Sequence, residues 1–439
     1  MSAPLSALWI IPFAGLLASI AVFPLLAPHF WHRHYGKVAA FWTLAYLIPS
    51  ALLGGVGHAM HDVAHAMILE YIPFIALVSS LFIVCGGVRI IGGINGTPAQ
   101  NTAVLAFGAF LASFIGTTGA AILLIQPLLA ANAWRARRTH QVIFFIILIG
   151  NIGGALTPIG DPPLFVGFLM GVGFFWPTVN MLGPMLLCAI PLLAVFYLVD
   201  RRYMARETGA PPAFVEPIRI EGRINLILVL GVVGAVLVSG VWKPGVAFSV
   251  MGTPVAGENL ARTLFLILMA GLSLALTPRA LRVANEFSWE PILEVAKLFV
   301  AIFLTITPVL AIIKAGSNGV AAPMIAALSQ DGQPIPAIYF WVTGALSAFL
   351  DNAPTYLVMF NLAGGDPEAL TGPLAKTLLA ISAGSVFMGA LTYIGNAPNF
   401  IIKAVAENRG VAMPSFFGYM GVAALLLLPL FLLVTLVYF

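Results

Sequence analysis

Gly154-Ala-Leu-Thr157-Pro-Ile-Gly160-Asp161-Pro-Pro163-Leu-Phe165 and Gly389-Ala-Leu-Thr392-Tyr-Ile-Gly395-Asn396-Ala-Pro398-Asn-Phe400 are one sequence written twice. Eight of the twelve positions agree, at a constant offset of 235 residues. Each copy interrupts an apolar segment with Gly, Pro and a polar side chain. Proline removes a backbone donor and clashes with the preceding turn, so no straight helix runs through either copy. At membrane depth, irregular backbone survives only where protein covers it or where it lines a cavity. The two breaks therefore mark an internal centre, and a repeated, interrupted pair of this kind points to a binding site.

The surroundings of both breaks are apolar. The chain has 439 residues, 61% hydrophobic and 8% charged, with a mean hydropathy of +1.03. Soluble domains carry about 25% charged residues, so polar surface is too scarce here to cover a water-soluble globule. Apolar runs long enough to span a bilayer recur along the whole length, without the weak alternation of a barrel. An all-α polytopic membrane protein is expected, with no enzymatic centre and no cofactor. The net charge of +4 sits mostly in short loops, where it sets topology and needs no nucleic acid to explain it. Cys85 and Cys188 lie inside apolar segments and read as buried structural thiols. The N-terminus lacks the basic stretch of a cleavable signal, so the first apolar segment is expected to stay as a span.

Candidate spans fall at about 5–28, 38–57, 71–93, 140–173, 180–199, 224–242, 261–277, 293–314, 376–406 and 416–438, about ten in all. Segments 101–133 and 336–362 carry polar and small residues in their middles and read as re-entrant hairpins. With the loop 29–37 cytoplasmic and both segments re-entrant, sixteen Lys and Arg fall inside. Only Lys243, Arg262, Lys314 and Lys376 fall outside. Making either segment a full span destroys this bias. The first hairpin then enters from the cytoplasm and the second from outside, which makes the repeat inverted.

The hairpin tips read Ser113-Phe-Ile-Gly116-Thr117-Thr118-Gly119 and Ser347-Ala-Phe-Leu-Asp351-Asn352-Ala-Pro354-Thr355. Phe114 and Phe349 keep the 235-residue offset, as do Pro73 and Pro308. A broken helix leaves N–H and C=O groups without partners, and its half-helix ends carry opposite partial charges. Carbonyls and nearby Thr, Asn and Asp oxygens suit a hard cation such as Na⁺, while amides suit an anion. Capping is the alternative role. Thr117, Thr118, Asn352 and Asp351 can cap returning hairpin arms, and Asp161 and Asn396 precede prolines as N-caps do. Of sixteen acids, this topology puts only Asp161 and Asp351 near mid-membrane, where a carboxylate is costly and functional by default. They are not symmetry mates: Asp161 corresponds to Asn396, and Asp351 to Gly116. No Lys or Arg neighbours them in sequence, which favours a cation and a proton over a polyanion.

These tips, with Asn151-Ile-Gly-Gly-Ala-Leu-Thr-Pro-Ile-Gly-Asp-Pro-Pro163, resemble the ion transporter superfamily over about 70–439. That group includes D-type sodium/proton antiporters, citrate and dicarboxylate symporters, and arsenite permeases. The resemblance implies a homodimer in which a transport domain moves against a scaffold domain as an elevator. Scaffold helices would occupy 1–100 and 224–335, and the cytoplasmic linker 201–223. The transport domain would comprise 101–200 (hairpin 101–133, broken helix 140–173) and 336–439 (hairpin 336–362, broken helix 376–406). It also implies two Na⁺ sites, one at Thr117, Thr118, Thr157 and Gly160, the other at Asp351, Asn352, Thr392 and Gly395. The dicarboxylate branch carries Ser-Asn-Thr at both tips. Here the tips are Gly116-Thr117-Thr118 and Asp351-Asn352-Ala353, so the first expectation is Na⁺/H⁺ antiport in a bacterial inner membrane. The alternative is a Na⁺- or H⁺-coupled citrate or dicarboxylate transporter.

Other features are peripheral. His58, His61, Asp62 and His65 share a helical spacing in an expected outer loop, as an interfacial segment or a metal site. Arg135 to Arg138 and Arg201-Arg202 read as topology anchors that contact lipid headgroups. Pro211 and Pro212 mark the linker.

Overall fold

The computed structural model describes residues 6–92, 95–209, 217–316 and 319–439. Pro211 and Pro212 lie outside the described residues. Helix accounts for 76% of the described residues, and the described strands form three two-stranded ribbons. Ten described helices are long and apolar enough to cross a membrane. This is an all-α polytopic membrane protein.

Both expected hairpins form. The first pairs Pro98–Ile115 with Thr117–Ala131, of 18 and 15 residues, and turns at Gly116. The second pairs Pro336–Phe349 with Asn352–Leu362, of 14 and 11 residues. At 1.5 Å per residue these arms reach roughly 16–27 Å against a hydrocarbon core of ~30 Å, and the longest, Pro98–Ile115, is one of the ten described helices long enough to cross. Gly116 holds φ at 81°, a conformation that side chains rarely adopt. The second turn uses extended backbone at Leu350 and Asp351 and needs no glycine.

Both repeated stretches break their helices. Thr139–Leu148 gives way to a 3₁₀ turn at Ile152–Leu156 and resumes as Pro162–Leu169. Ala375–Met388 passes into a 3₁₀ turn at Gly389–Leu391 and resumes as Ala397–Asn408. The two copies fold alike in detail. The Thr157 hydroxyl donates to the Ser113 carbonyl and the Thr392 hydroxyl to the Ala348 carbonyl, each across 44 residues. Each bond ties a break to its own hairpin. A Cβ placed on Gly160 would stand 2.2 Å from the Gly154 carbonyl oxygen, and one on Gly395 would stand 2.5 Å from that of Gly389. The repeated glycines are therefore required by close backbone approach.

Two expected loops are helical instead. The loop at 29–37 is the start of Pro28–Gly54, because Trp31 and Tyr35 find burial and the Trp31 indole donates to Glu294 at 2.9 Å. The outer loop holding His58, His61 and His65 is the start of a continuous helix, Val56–Cys85, with π geometry at Ala66–Tyr71. The expected span 71–93 consequently ends at Cys85. Arg89–Ile91 instead pairs as a ribbon with Arg219–Glu221, joining the ends of two segments placed on the same side by their charges.

Burial locates the centre. The window over Thr139–Leu156 is 89% buried, against 17% for Pro28–Gly54 and 22% for Phe416–Tyr438. The broken helices form the interior, and the outer helices present apolar faces suited to lipid. Gly160→Ala or Gly395→Ala should each cost about 1–3 kcal/mol by overpacking against backbone. Gly234→Ala, which meets nothing within 4 Å, should leave stability unchanged or slightly raised. Thermal melting in detergent reads both, and a Gly160→Ala protein that melts with wild type contradicts the close approach.

Candidate functional site

Asp161 sits at the crossing of the two breaks with 1% of its surface exposed. It precedes Pro162, yet its side chain makes no capping bond. Its carboxylate accepts from three neutral donors instead: Thr117 Oγ1 at 3.1 Å, Asn396 Nδ2 at 2.9 Å and Asn352 Nδ2 at 2.8 Å. The first comes from a hairpin tip of the same repeat, the other two from the second repeat. Backbone supports the arrangement, since the Thr117 N–H donates to the Gly160 carbonyl at 2.8 Å. Thr157 braces the turn from below, its hydroxyl accepting the Ile159 N–H at 3.1 Å.

Asn396 also makes no side-chain cap. Its amide bridges Asp161, the Gly150 carbonyl at 3.0 Å and Asn151 Oδ1 at 3.3 Å. Asn151 in turn donates to Asn399 Oδ1 at 2.8 Å, and Asn399 to the carbonyls of Gly389 and Thr392, both at 2.9 Å. A chain of amides thus stitches one break to the other. Asn151 and Asn399 were not singled out in the sequence, although each is a polar residue beside a break. In the second repeat, Thr392 Oγ1 accepts the Gly395 N–H at 3.1 Å.

The two tips behave differently from each other. Gly116, not a threonine, occupies the cap position of the first returning arm, which leaves the Thr117 hydroxyl for Asp161. Thr118 lines a small cavity next to Asp161. In the second tip Asp351 is the cap, accepting the Ala353 N–H at 3.1 Å. Asn352 is fully covered and reaches across to Asp161, away from the Thr392 and Gly395 grouping that the resemblance implied. Asp161 drives that regrouping, because a buried carboxylate needs donors. Asn352 Oδ1 is buried without a partner.

The cavity beside Asp161 measures about 30 Å³ and is bounded by Gly116, Thr117, Thr118, Gly160, Asp161 and Phe165, with Leu77, Val78 and Leu81 opposite. It accommodates one or two groups the size of water. None of the ion pairs among the described residues includes Asp161 or Asp351. The histidines lie elsewhere. His58 approaches Asp62 at 3.5 Å, while His61 and His65 stack on each other. Among the described residues no three His, Cys, Asp or Glu side chains gather to hold a metal ion, so the three-histidine metal site does not form.

A second buried polar cluster was missed. Asp200, fully buried, accepts from Arg135 Nη1 at 2.5 Å, Asn101 Nδ2 at 2.9 Å and Gln141 Nε2 at 3.1 Å, and pairs with His140 Nε2 at 2.7 Å. These residues come from the base of the first hairpin, the start of the first broken helix and the end of Trp176–Met204. Arg135 is 2% exposed, so it is a structural clamp and not a headgroup contact. Nearby, the backbone N–H of Ala136, and then that of Arg137, hold the exposed Glu207 carboxyl below the usual carboxylate range.

Residues 2–439 match a family model described as "Putative citrate transport". The chain is also 27% identical over 339 residues to Uncharacterized transporter Mb2703 of Mycobacterium bovis and to Uncharacterized transporter Rv2684 of Mycobacterium tuberculosis. Each alignment covers 72% of this chain and 71% of the relative. The chain belongs to this citrate transport family. It is an integral membrane transporter and not an enzyme.

Arg135→Met should cost about 3–5 kcal/mol, because it strands Asp200 as a buried charge. Arg137→Met, at an exposed position, should stay within about 0.5 kcal/mol of wild type. Denaturation in mild detergent measures the difference, and equal stabilities would remove the clamp from the account.

Proposed function

We propose that this member of the citrate transport family is a secondary active transporter whose driving ion, H⁺ or Na⁺, binds at Asp161. Its cargo is citrate or a related small carboxylate. The observation that carries the reading is the setting of Asp161: a buried carboxylate with three neutral donors and no basic partner. Such a group is compensated by a proton or a cation and by nothing else in its surroundings. The unpartnered Asn352 Oδ1, the Gly160 turn and the Thr117 and Thr118 hydroxyls offer neutral oxygens of the kind Na⁺ takes. Asp351, at the second tip, is the second acid of the site, with Thr157, Thr392, Gly395 and Asn396 shaping the breaks. The family description supports the carboxylate cargo.

The transport cycle we infer is an elevator. The two hairpins and broken helices (101–200 and 336–439) move as a unit past the scaffold (1–100 and 224–335), in a homodimer in the inner membrane. The repeated sequence supports this reading, because two like halves that enter from opposite faces would relate the two end states by a pseudo-two-fold rotation in the membrane plane.

A second reading, Na⁺/H⁺ antiport with no organic cargo, is favoured by a specific observation. The 30 Å³ cavity suits a cation with its water and is too small for a tricarboxylate. Reconstituted proteoliposomes separate the two. Labelled citrate uptake driven by a Na⁺ or H⁺ gradient, falling to background in Asp161→Asn, is the expected result. Proton flux triggered by NaCl, with no uptake of any small carboxylate, would replace the first reading with the second. Uptake that is unchanged in Asp161→Asn contradicts both.

A further inference from the structure

Arg262 is a cation in an unlikely place. It lies in the second turn of Gly257–Leu276, one of the scaffold helices, and is 3% exposed. Its Nη1 reaches Ser239 Oγ at 3.3 Å. Its Nε and Nη2 are buried and have no hydrogen-bond partner. Burying a guanidinium with unmet donors is expensive, and a charge inside a membrane protein that lacks a structural partner is functional by default. The nearest acid, Glu258, is one turn earlier and engages Lys243 at 3.3 Å. No ion pair joins Glu258 to Arg262 among the described residues.

What covers the guanidinium is informative. Its central carbon lies 5.6 Å from the Phe165 ring and 5.5 Å from the Phe168 ring. Both belong to Pro162–Leu169, the half-helix that starts just after Asp161. Phe165 also lines the cavity beside Asp161, so the same ring borders both the guanidinium and that cavity. Cations stack well on such faces, but the stacking leaves the in-plane N–H groups unused. Nε–H and Nη2–H form the side-on edge of the guanidinium, two parallel donors spaced to match the two oxygens of one carboxylate.

We propose that Arg262 is the cargo-recognition residue: its free Nε/Nη2 edge takes one carboxylate of a small organic anion when Phe165 moves aside. The proposal rests on the carboxylate reading above and supplies what the Asp161 site lacks, a positive group for an anionic cargo. The cation at Asp161 and the anion at Arg262 then lie on the two sides of one half-helix. Sliding that half-helix past the scaffold changes both environments together.

The test is a concentration series of labelled citrate in proteoliposomes with wild type, Arg262→Gln, Arg262→Lys and Lys243→Gln. Arg262→Gln should raise KM by about thirtyfold or more, as for loss of a desolvated charged pair. Its maximal rate and its dependence on Na⁺ and pH should stay as in wild type. Arg262→Lys, which keeps the charge and loses the fork, should fall between, and Lys243→Gln should match wild type. An unchanged KM in Arg262→Gln, or a lower maximal rate at unchanged KM, overturns the assignment while leaving the carboxylate reading intact. Should Arg262→Gln not fold, an unchanged KM in Arg262→Lys overturns it equally. A wild type that carries no small carboxylate overturns both.

Discussion

A single buried carboxylate, that of Asp161, needs donors that its own segment does not provide, and the centre of the molecule is built to provide them. Thr117 comes from one hairpin tip, Asn352 from the other and Asn396 from the opposing break. A lone ionised group in a low-dielectric interior is far more costly than any of these hydrogen bonds is stabilising. The four segments are therefore held in register by one atom pair. Each donor also has a reason to be where it is. Gly116 caps its arm by backbone conformation and frees Thr117, while Asp351 caps the other arm and frees Asn352.

Much of this was legible in the chain. The 235-residue repeat announced two breaks, and Gly160 and Gly395 recur because a Cβ at either position collides with a backbone carbonyl. The turns of the two helical hairpins were legible from the small and polar residues at Gly116-Thr117-Thr118 and Asp351-Asn352 in the middle of apolar segments. What was not legible follows from the range of side chains. Asn352 lies 191 residues from Asp161, and Arg135 lies 65 from Asp200. No local pattern distinguishes an amide that caps its own helix from one that reaches across a repeat. The His, Arg and Lys residues at the start of Pro28–Gly54 have the composition of a solvated turn, which hides its helical periodicity. In the folded chain the aromatic face of that segment packs against Glu294 and its neighbours. Asp200 carries no local signature for a similar reason, since its partners come together only when three segments meet.

The two polar centres divide the work. The Asp200 carboxylate is met by two basic side chains, Arg135 and His140, and two amides, Asn101 and Gln141, although Arg135 Nε and Gln141 Oε1 have no partner themselves, and it fixes the base of the first hairpin to the adjoining helices. The Asp161 centre is deliberately incomplete, with a carboxylate lacking a positive partner and an amide oxygen lacking any. A buried carboxylate with basic partners is compensated in place, whereas one without them is open to a proton or a cation. That contrast, more than the acids themselves, separates the structural site from the functional one.

The central claim is that the driving ion is bound by Asp161. Infrared difference spectroscopy on the reconstituted protein tests it at the level of the bond. Addition of the ion should shift the carboxylate stretching bands in wild type, and should leave Asp161→Asn without that signal. An identical band shift in Asp161→Asn would contradict the account.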